Sequence, residues 1–376
     1  MKKILLIARG FNKHGGISRY VAELAERFVK EHETHLLTTK YDYKVANLIV
    51  HKKPMIEKPY WLQIASNAYY NTKYAKKLKE KFNIDVVHSN GSESLFCDVL
   101  TMHSCHKAWV KYYKSWSWLQ NARATIDPLN WVVLSVEKRV IEKGSKKIIA
   151  VSEGVKREIL ENYNVSEDKI VVIPNGVDLD EFKSDKVKRR NIRKVYGIAD
   201  DEIVLMFSGY EFRRKGLEYI IKALPLVKGK VKLLVVGKDN PNYYKKLASK
   251  LRVLDKIIFA GFVPDISEYY AASDLFVFPT LYEPFGLVIT EALASGLPVI
   301  VSEFAGATDI MNDGCEGLLL KDPTDTKEIA EKVNILVEDE NLRKQMSRNA
   351  RKTAEKYSWD EVARKILEIY EEVAKR

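Results

Sequence analysis

Short apolar runs alternate with amphipathic stretches along most of the chain. In the first half, helical patterns at 17–30, 61–81 and 155–163 separate some of the strand-like runs, which lie at 3–8, 35–39, 46–50, 84–88, 99–102, 147–152 and 170–174. The second half repeats the alternation, with strand-like runs at 203–208, 231–236, 256–262, 275–278, 297–301 and 317–320. Alternating strands and helices indicate a parallel sheet covered on both faces, so the pattern predicts an α/β protein with two doubly wound sheets.

Length and patterning together predict two domains. A chain of 376 residues is too long for one ordinary core. The basic stretch 183–193 lacks apolar periodicity and is the best candidate for a linker. We therefore expect a first domain over 1–183, a second over 184–356 and a final helix over 357–376. Because parallel sheets bind ligands beyond the carboxyl ends of their strands, two facing domains would create a cleft.

Composition and charge limit the class of protein. Three cysteines without a C-x-x-C pair argue for a reducing compartment, and no apolar run approaches the length of a transmembrane helix. Residues 1–183 carry 30 Lys+Arg against 21 Asp+Glu, net +9, whereas the remaining residues carry 32 against 30, net +2. An anionic membrane, a nucleic acid or an anionic substrate would each suit the basic first half.

The stretch from Phe278 to Ser302 carries the strongest chemical signal. Glu291 lies in an otherwise apolar helical segment, and a buried carboxylate needs a partner because an isolated one costs several kcal/mol. Before it, Phe285, Gly286, Leu287 and Val288 place backbone N–H groups at a helix N-terminus, which suits phosphate. The alternative is structural, with Glu291 paired to an arginine in the core and Glu283 solvated in its loop.

Three further candidate binding segments lie at the ends of predicted strands. Gly15-Gly16 lies between the first strand and a helix, as in phosphate-binding turns or in a plain tight turn. The segment from Ser208-Gly209 to Arg213-Arg214-Lys215-Gly216 could clamp a diphosphate or form an ordinary basic loop. His103 could donate to a phosphate or a sugar hydroxyl. The run His103-Ser104-Cys105-His106 matches no common zinc spacing, and a nucleophilic triad lacks its motif.

Residues 106–131 interleave aromatic rings with lysines. The rings belong to Trp109, Tyr112, Tyr113, Trp116 and Trp118, and the lysines are Lys107, Lys111 and Lys114. This composition suits the headgroup layer of a membrane. Packing in the first domain or an acceptor groove would explain it equally, and stacking on single-stranded nucleic acid is the least favoured interpretation.

Taken together, these residues resemble a known family over nearly the whole chain. The strongest match is Glu283-Pro-Phe-Gly-Leu-Val-Ile-Thr-Glu291, which resembles the paired glutamates of the retaining GT-B glycosyltransferases of family 4. Supporting motifs, in order, are Gly15-Gly16, His103, Val151-Ser152-Glu153, Pro174-Asn175-Gly176-Val177-Asp178, Arg214-Lys215-Gly216 and Leu297-Pro298-Val299. The cationic loop and the aromatic insertion also resemble the lipopolysaccharide core glucosyltransferases.

The resemblance implies a GT-B fold whose final helix returns to the first domain, with the acceptor bound by the first domain and a nucleotide-sugar donor by the second. Glu291 would hold the ribose, Glu283 the donor sugar, and His103 the sugar or its phosphate. The diphosphate would be neutralised by Lys215, Arg214, the amides around Gly286 to Val288, and the Gly15-Gly16 loop. Three departures affect the donor pocket: Tyr210 replaces a frequent arginine, Ala305-Gly306 replaces paired glycines, and the following acid is Asp309.

The function implied is transfer of a hexosyl unit from a nucleotide diphosphate sugar, UDP-sugar before GDP-sugar, to a hydroxyl of a glycan or lipid-linked acceptor with retention of configuration. No metal, other cofactor or nucleic acid is expected. The alternatives are a GT-B phosphorylase, a nucleotide-sugar epimerase, or a catalytically silent scaffold at a membrane surface. We expect a cytoplasmic protein, peripheral on the inner face of the cell membrane if residues 106–131 bind lipid.

Overall fold

The structure, a computed structural model, describes residues 1–13, 15–54, 56, 58–115 and 117–374. It divides into two compact units, the first made of Met1–Asn175 with Trp359–Arg376 and the second of Gly176–Ser358. Each unit contains a parallel sheet flanked by helices, so the predicted α/β class with two doubly wound sheets is confirmed.

In the first unit, the described strands are β1 Lys3–Ile7, β2 Gly10–Phe11, β3 Glu33–Thr38, β4 Lys40–Tyr41, β5 Ile49–Lys52, β6 Val86–Asn90, β7 Val99–Met102, β8 Lys147–Ala150 and β9 Ile170–Val172. The helices are α1 Gly16–Phe28, α2 Tyr60–Phe82, α3 His106–Ser115, α4 Trp118–Ile126, α5 Pro128–Arg139 and α6 Glu153–Asn162. Among the described residues, the main sheet has the order β5-β3-β1-β6-β7-β8-β9, and β2 pairs with β4 separately. The central strands β1, β6 and β7 are buried, as expected of a sheet covered on both faces.

In the second unit, the described strands are β10 Ile203–Ser208, β11 Val231–Val236, β12 Ile257–Gly261, β13 Leu275–Phe278, β14 Val299–Ser302 and β15 Gly317–Leu320. The helices are α7 Lys186–Tyr196, α8 Leu217–Ala223, α9 Asn242–Lys250, α10 Ser267–Ala272, α11 Leu287–Ala294, α12 Thr326–Glu338 and α13 Glu340–Glu355. Sheet order within the described chain is β12-β11-β10-β13-β14-β15. The strands β10 and β13 are therefore neighbours, and their carboxyl ends bring together the two loops that sequence analysis singled out.

The last helix, α14 (Trp359–Ala374), belongs to the first unit, where the resemblance places it. Tyr370 on this helix is fully buried, and its hydroxyl lies 2.5 Å from Nδ1 of His88 in β6. The indole of Trp359 meets the ring of Tyr20 edge-on at 5.7 Å. The final helix thus completes the core of the first unit.

The unit boundaries differ from the predicted ones. Residues after Asn175 already belong to the second unit, because Val177 pairs with Ser358 and its amide donates to the carbonyl of Tyr357. Further on, Arg351 donates to the carbonyl groups of Leu179 and Phe182. The chain therefore passes from the first unit to the second before residue 183. The segment at Val177, where the chain enters the second unit, pairs with the segment at Ser358, where it leaves.

The predicted linker at 183–193 is wrong, because Lys186–Tyr196 forms helix α7. Arg193, only 3% exposed, faces inward and donates to Asp274, and Arg189 donates to the other carboxylate oxygen of Asp274, each at 2.7 Å. Asp185 caps the helix by accepting from the amides of Val187 and Lys188. The inner face of α7 is thus partly ionic, which a search for apolar periodicity does not detect.

Replacing Arg193 by Met should destabilise the second unit by about 1–3 kcal/mol, since the partly buried carboxylate of Asp274 and three backbone carbonyls lose a donor. The exposed Arg190 lies on the same helix, and Arg190→Met should change the free energy of unfolding by less than about 0.5 kcal/mol. Urea unfolding of both variants measures the difference. Equal stability of the two would show that α7 does not depend on its ionic face.

Candidate functional site

Two loops of the second unit form an ionic cluster at the ends of adjacent strands. The cationic loop, residues 209–216, follows β10, and the acidic loop, residues 279–286, follows β13. Gly216 has φ +81°, and a Cβ there would lie 2.0 Å from the carbonyl oxygen of Pro279. Only glycine permits this approach, so the start of α8 rests directly on the backbone of the acidic loop.

Lys215 and Glu283 are in direct contact across the two loops. The Lys215 ammonium donates to Oε2 of Glu283 and lies 5.1 Å from the centroid of the Phe278 ring. Each side chain of the pair is 11% exposed. Burial, and after it the positive charge of Arg214, lower the pKa of Lys215 well below its usual value, whereas the negative charge of Glu211 opposes this shift. The alternative of a solvated Glu283 is therefore wrong.

Arg214 connects the two loops. Its guanidinium donates to the carbonyl oxygen of Tyr282 at 2.6 Å and to the carboxylate of Glu211 at 2.7 Å, and it lies 3.7 Å from Oε2 of Glu283. Gly209, at the start of the cationic loop, packs against the stem of Lys215. The predicted cations and Glu283 are thus brought together, with Arg214 already engaged in holding the loops.

The acidic loop ends at the N-terminus of α11. Gly286 has φ +100°, and a Cβ there would lie 3.1 Å from the side chains of both Glu283 and Ile289. The loop is fixed from the other side by Ala307, whose amide donates to the carbonyl of Phe285 at 2.8 Å. Leu287 and Val288 lie in the first turn, where backbone N–H groups have no helical acceptor. The helix therefore begins directly after Gly286, which lies against the side chain of Glu283.

Glu291 is buried one turn further along α11. Its Oε2 is 3.1 Å from the hydroxyl of Tyr270, which lies on α10 and is also 3.1 Å from the carbonyl of Val288. A tyrosine hydroxyl is thus one neighbour of the Glu291 carboxylate. Sequence analysis missed Tyr270, whose only signal was its place in a short helix packed beside the apolar segment.

In the first unit, His103 lines a cavity of about 660 Å³. Its Nε2 atom is buried without a hydrogen-bond partner in the described part of the chain, and the edge of the Tyr20 ring packs against the imidazole at 4.8 Å. Burial lowers the pKa of His103 to about 4. The side chain is therefore neutral at pH 7 and suits a hydroxyl group better than a phosphate.

Gly15 and Gly16 are exposed at the start of α1, with Gly15 as the N-cap. The cavity is lined by their neighbours Ile17 and Ser18. Among the other residues of the cavity wall, sequence analysis missed Arg9, Tyr60, Asn90 and Glu93. Arg9 and Asn90 come at the carboxyl ends of β1 and β6, a signal that could have identified them.

The candidate metal and thiol chemistry near His103 finds little support. Cys105 is buried, which raises the pKa of its thiol to about 12, and its sulfur points to the carbonyl of Glu158. Within the described ranges, no group of three or more His, Cys, Asp or Glu side chains could hold a metal ion. The sequence-based expectation of a reaction without metal stays a prediction.

Helices α3, α4 and α5 contain the aromatic and basic stretch 106–131; Trp116 lies outside the described residues. Trp109, Tyr112 and Tyr113 are half-buried against one another, whereas Trp118 is 76% and Trp131 65% exposed. Packing therefore explains only part of the stretch. In the described part of the chain, no helix is long and apolar enough to cross a bilayer.

Comparison with known proteins identifies the family. Residues 14–181 match the profile described as Glycosyltransferase Family 4, and residues 188–353 match Glycosyl transferases group 1. An uncharacterized glycosyltransferase of Methanocaldococcus jannaschii is 30% identical over 375 residues, covering 95% of this chain and 94% of that protein.

Solved structures agree in fold. The crystal structure of WaaG, a glycosyltransferase involved in lipopolysaccharide biosynthesis, has a TM-score of 0.80 at 21% identity and covers 98% of this chain and 99% of its own. Anabaena HepE in complex with UDP and glucose has a TM-score of 0.75 at 20% identity, covering 99% and 100%. These likenesses support the GT-B fold class. The chain belongs to the group 1, family 4 glycosyltransferases.

Proposed function

We propose that the protein transfers a hexosyl unit from a nucleotide diphosphate sugar to a hydroxyl of a glycan or lipid-linked acceptor, with retention of anomeric configuration. The observation that carries the proposal is the contact of Lys215 with Glu283 beside the first turn of α11. In a family member, this cluster offers cations for a diphosphate and a carboxylate for a sugar. UDP is favoured as the nucleotide over GDP because HepE, with the same fold, was solved with UDP and glucose.

The donor would be held by residues of the second unit. Lys215 would exchange its contact with Glu283 for the diphosphate, assisted by Arg214 and the amides around Gly286, Leu287 and Val288. Gly209 lies beside the stem of Lys215 and would be next to the bound diphosphate. Glu283, released from the lysine, would accept from a hydroxyl of the donor sugar. Glu291 would hold the ribose hydroxyls, with Tyr270 orienting its carboxylate.

Catalysis would come chiefly from stabilising the leaving diphosphate, where negative charge develops as the glycosidic bond breaks. The ammonium of Lys215 and the helix-end amides supply that stabilisation without a metal ion or other cofactor. The acceptor hydroxyl would attack from the face that the diphosphate leaves, and a phosphate oxygen would take its proton. Glu283 as a covalent nucleophile is the less favoured route. His103 and the Gly15-Gly16 loop keep the roles that the family resemblance implies for them.

Three alternatives predict different products. A phosphorylase would release a sugar phosphate, and an epimerase would convert the donor without any acceptor. A silent scaffold would turn over nothing, and a scaffold has no need of Lys215, Glu283, Glu291 and His103 together. Product analysis with UDP-glucose and inorganic phosphate, in the presence and absence of a glycan mixture, separates these outcomes.

We also propose that residues 106–131 bind an anionic membrane surface, which would place a cytoplasmic protein on the inner face of the cell membrane. Trp118, Ile126 and Trp131 expose apolar surface, and Lys111 and Arg123 of the same stretch are exposed as well. Exposed indoles beside cationic side chains suit the headgroup region. A surface of this kind would bring the protein to lipid-linked acceptors.

Replacing the clustered ionic residues should reduce turnover. Lys215→Ala, Glu283→Gln and Glu291→Gln should each lower the rate of UDP release from UDP-glucose by about 100-fold, a loss typical of one stabilising group in a reacting site. Glu340→Gln and Lys344→Ala are matched controls, because this exposed pair lies on α13 of the same unit. Undiminished turnover in all three site variants would contradict the proposal.

His103 should act as a neutral hydrogen-bonding group. Because burial lowers its pKa to about 4, the imidazole gains a proton only below that pH and should contribute no ionisation to kcat/KM between pH 5 and 8. The pH profiles of wild type and His103→Gln should then be parallel, with the variant slower by about 10–100-fold. A limb near pH 6.5 that disappears in the variant would show that His103 titrates during the reaction.

Membrane binding should depend on the exposed indoles and on charge. The double variant Trp118→Ser and Trp131→Ser should sediment at least about tenfold less with phosphatidylglycerol vesicles, and binding of the wild type should weaken as salt rises. Tyr243→Ser is the control, since Tyr243 is similarly exposed in the second unit. No sedimentation of the wild type at low salt would rule out a strong electrostatic component.

A further inference from the structure

The cavity of the first unit contains arginine, but its charge is already compensated. Nη2 of Arg9 donates to Oε1 of Glu93, and Nη1 donates to the hydroxyl of Tyr60, both at 2.6 Å. Glu93 is 8% exposed. An anionic group entering the cavity would have to displace this carboxylate or lie beside it, and close like charges repel strongly in a buried site. Arg9 is therefore poorly placed to bind a phosphate.

The other titratable groups of the wall add little positive charge. Burial lowers the pKa of His103 to about 4 and also lowers the pKa of His106, so both imidazoles are neutral at pH 7. Glu137 accepts from the amide of His106 at 3.0 Å and from the hydroxyl of Tyr163 at 2.5 Å. Lys40 lines the cavity as an exposed residue. The cavity wall thus contains two cationic side chains, Arg9 and Lys40, and two carboxylates, Glu93 and Glu137.

Several buried polar atoms in this wall have no partner among the described residues. They include Oε2 of Glu93, Oδ1 of Asn90, Nε2 of His103 and Nε of Arg9. Buried polar atoms in native proteins are almost always hydrogen-bonded, so a cluster of unpartnered ones indicates a site for an added polar molecule. Glu93 and Asn90 can only accept through these oxygens and Nε of Arg9 can only donate, so the ligand must offer both donors and acceptors, as hydroxyl groups do.

Apolar side chains complete the wall. Ile64 and Met102 are buried beside the polar groups, and the ring of Tyr60 is half exposed. A sugar or cyclitol ring offers hydroxyl groups at its edge and C–H groups on its faces. It matches such a wall better than a flexible anion, whose oxygens can only accept.

We infer that this cavity binds an uncharged polyhydroxylated ring as the acceptor and discriminates against its phosphorylated form, with Glu93 as the residue that sets the preference. The inference rests on the proposed function, because the bound ring is an acceptor only if the protein transfers a sugar to it. It names the class of substrate that the first unit selects. Hydroxyl groups would donate to Glu93 and Asn90 and exchange hydrogen bonds with His103. A phosphate would meet the carboxylate of Glu93.

Binding without any donor tests the inference on the full chain. The probes are the methyl glycosides of glucose, galactose and mannose and myo-inositol, each paired with its monophosphate, at about 10 mM in saturation-transfer NMR and calorimetry. At least one uncharged probe should bind, and its monophosphate should bind at least about tenfold more weakly, which corresponds to about 1.4 kcal/mol.

Charge variants then assign the preference to Glu93. Glu93→Gln leaves Arg9 and the buried Lys53 uncompensated and should shift the ratio of the two affinities toward the phosphorylated probe by at least about tenfold. Glu93→Asp keeps the charge and should keep the ratio, even if both affinities fall. The surface variant Glu167→Gln, in the same unit, should change neither. Circular dichroism and thermal melting establish that each variant is folded.

Tighter binding of the phosphorylated member of a pair by the wild type would overturn the inference, as would the absence of binding by every uncharged probe. An unchanged ratio in folded Glu93→Gln would remove Glu93 from the explanation and count equally against it. These outcomes leave the donor chemistry untouched. Turnover of UDP-glucose and its loss in Lys215→Ala depend on the second unit and can succeed or fail separately.

Discussion

The contact between Lys215 and Glu283 depends on a close approach of two backbones. Because Gly216 has no side chain, the start of α8 lies directly on the carbonyl of Pro279, and the loops after β10 and β13 meet. Arg214 then joins them through Tyr282 and Glu211. A larger residue at 216 would separate the loops and with them the two charges. The ionic cluster is thus a product of sheet order, since only neighbouring parallel strands deliver their loops to the same edge.

A buried ion pair of this kind contributes little net stability, because desolvation offsets much of the Coulomb attraction. Its value in the proposed reaction is that each partner compensates the other until the substrate arrives. Lys215 is held close to the place where a diphosphate would bind, and Glu283 is held close to the sugar. The cluster is therefore preorganised for charges that the substrate brings, which is the condition for strong electrostatic stabilisation of a transition state.

Much of the fold could be predicted because buried parallel strands appear in the sequence as short apolar runs. Val99–Met102, Ile203–Ser208, Val231–Val236 and Leu275–Phe278 have the same limits in the structure as in the sequence analysis. Helix α7 was missed because Arg189 and Arg193 replace apolar residues on its inner face, and charge on a helix normally indicates solvent. The unit boundary was misplaced because the pairing of Val177 with Ser358 joins residues far apart in the chain.

The candidate site, like the fold, could be predicted from the sequence only in part. Local motifs identified Glu283, Lys215 and Glu291, since their chemistry is unusual for their positions in the sequence. Their contacts could not be predicted: Tyr270 beside Glu291, and Arg9 with Glu93 and Tyr60, bring together residues from separate elements. Only the tertiary structure shows that the charge of Arg9 is compensated. Charge counting gave a basic first half, whereas the wall of its cavity carries balanced charge.

Helix α14 has a consequence for how the protein is made. The first unit is interrupted between Asn175 and Trp359 by the whole of the second. During synthesis from the N-terminus, the sequence of the second unit emerges complete before the first has received Trp359 and Tyr370, which fill its core around Tyr20 and His88. Part of the core of the nascent first unit therefore stays uncovered until residues 359–376 leave the ribosome.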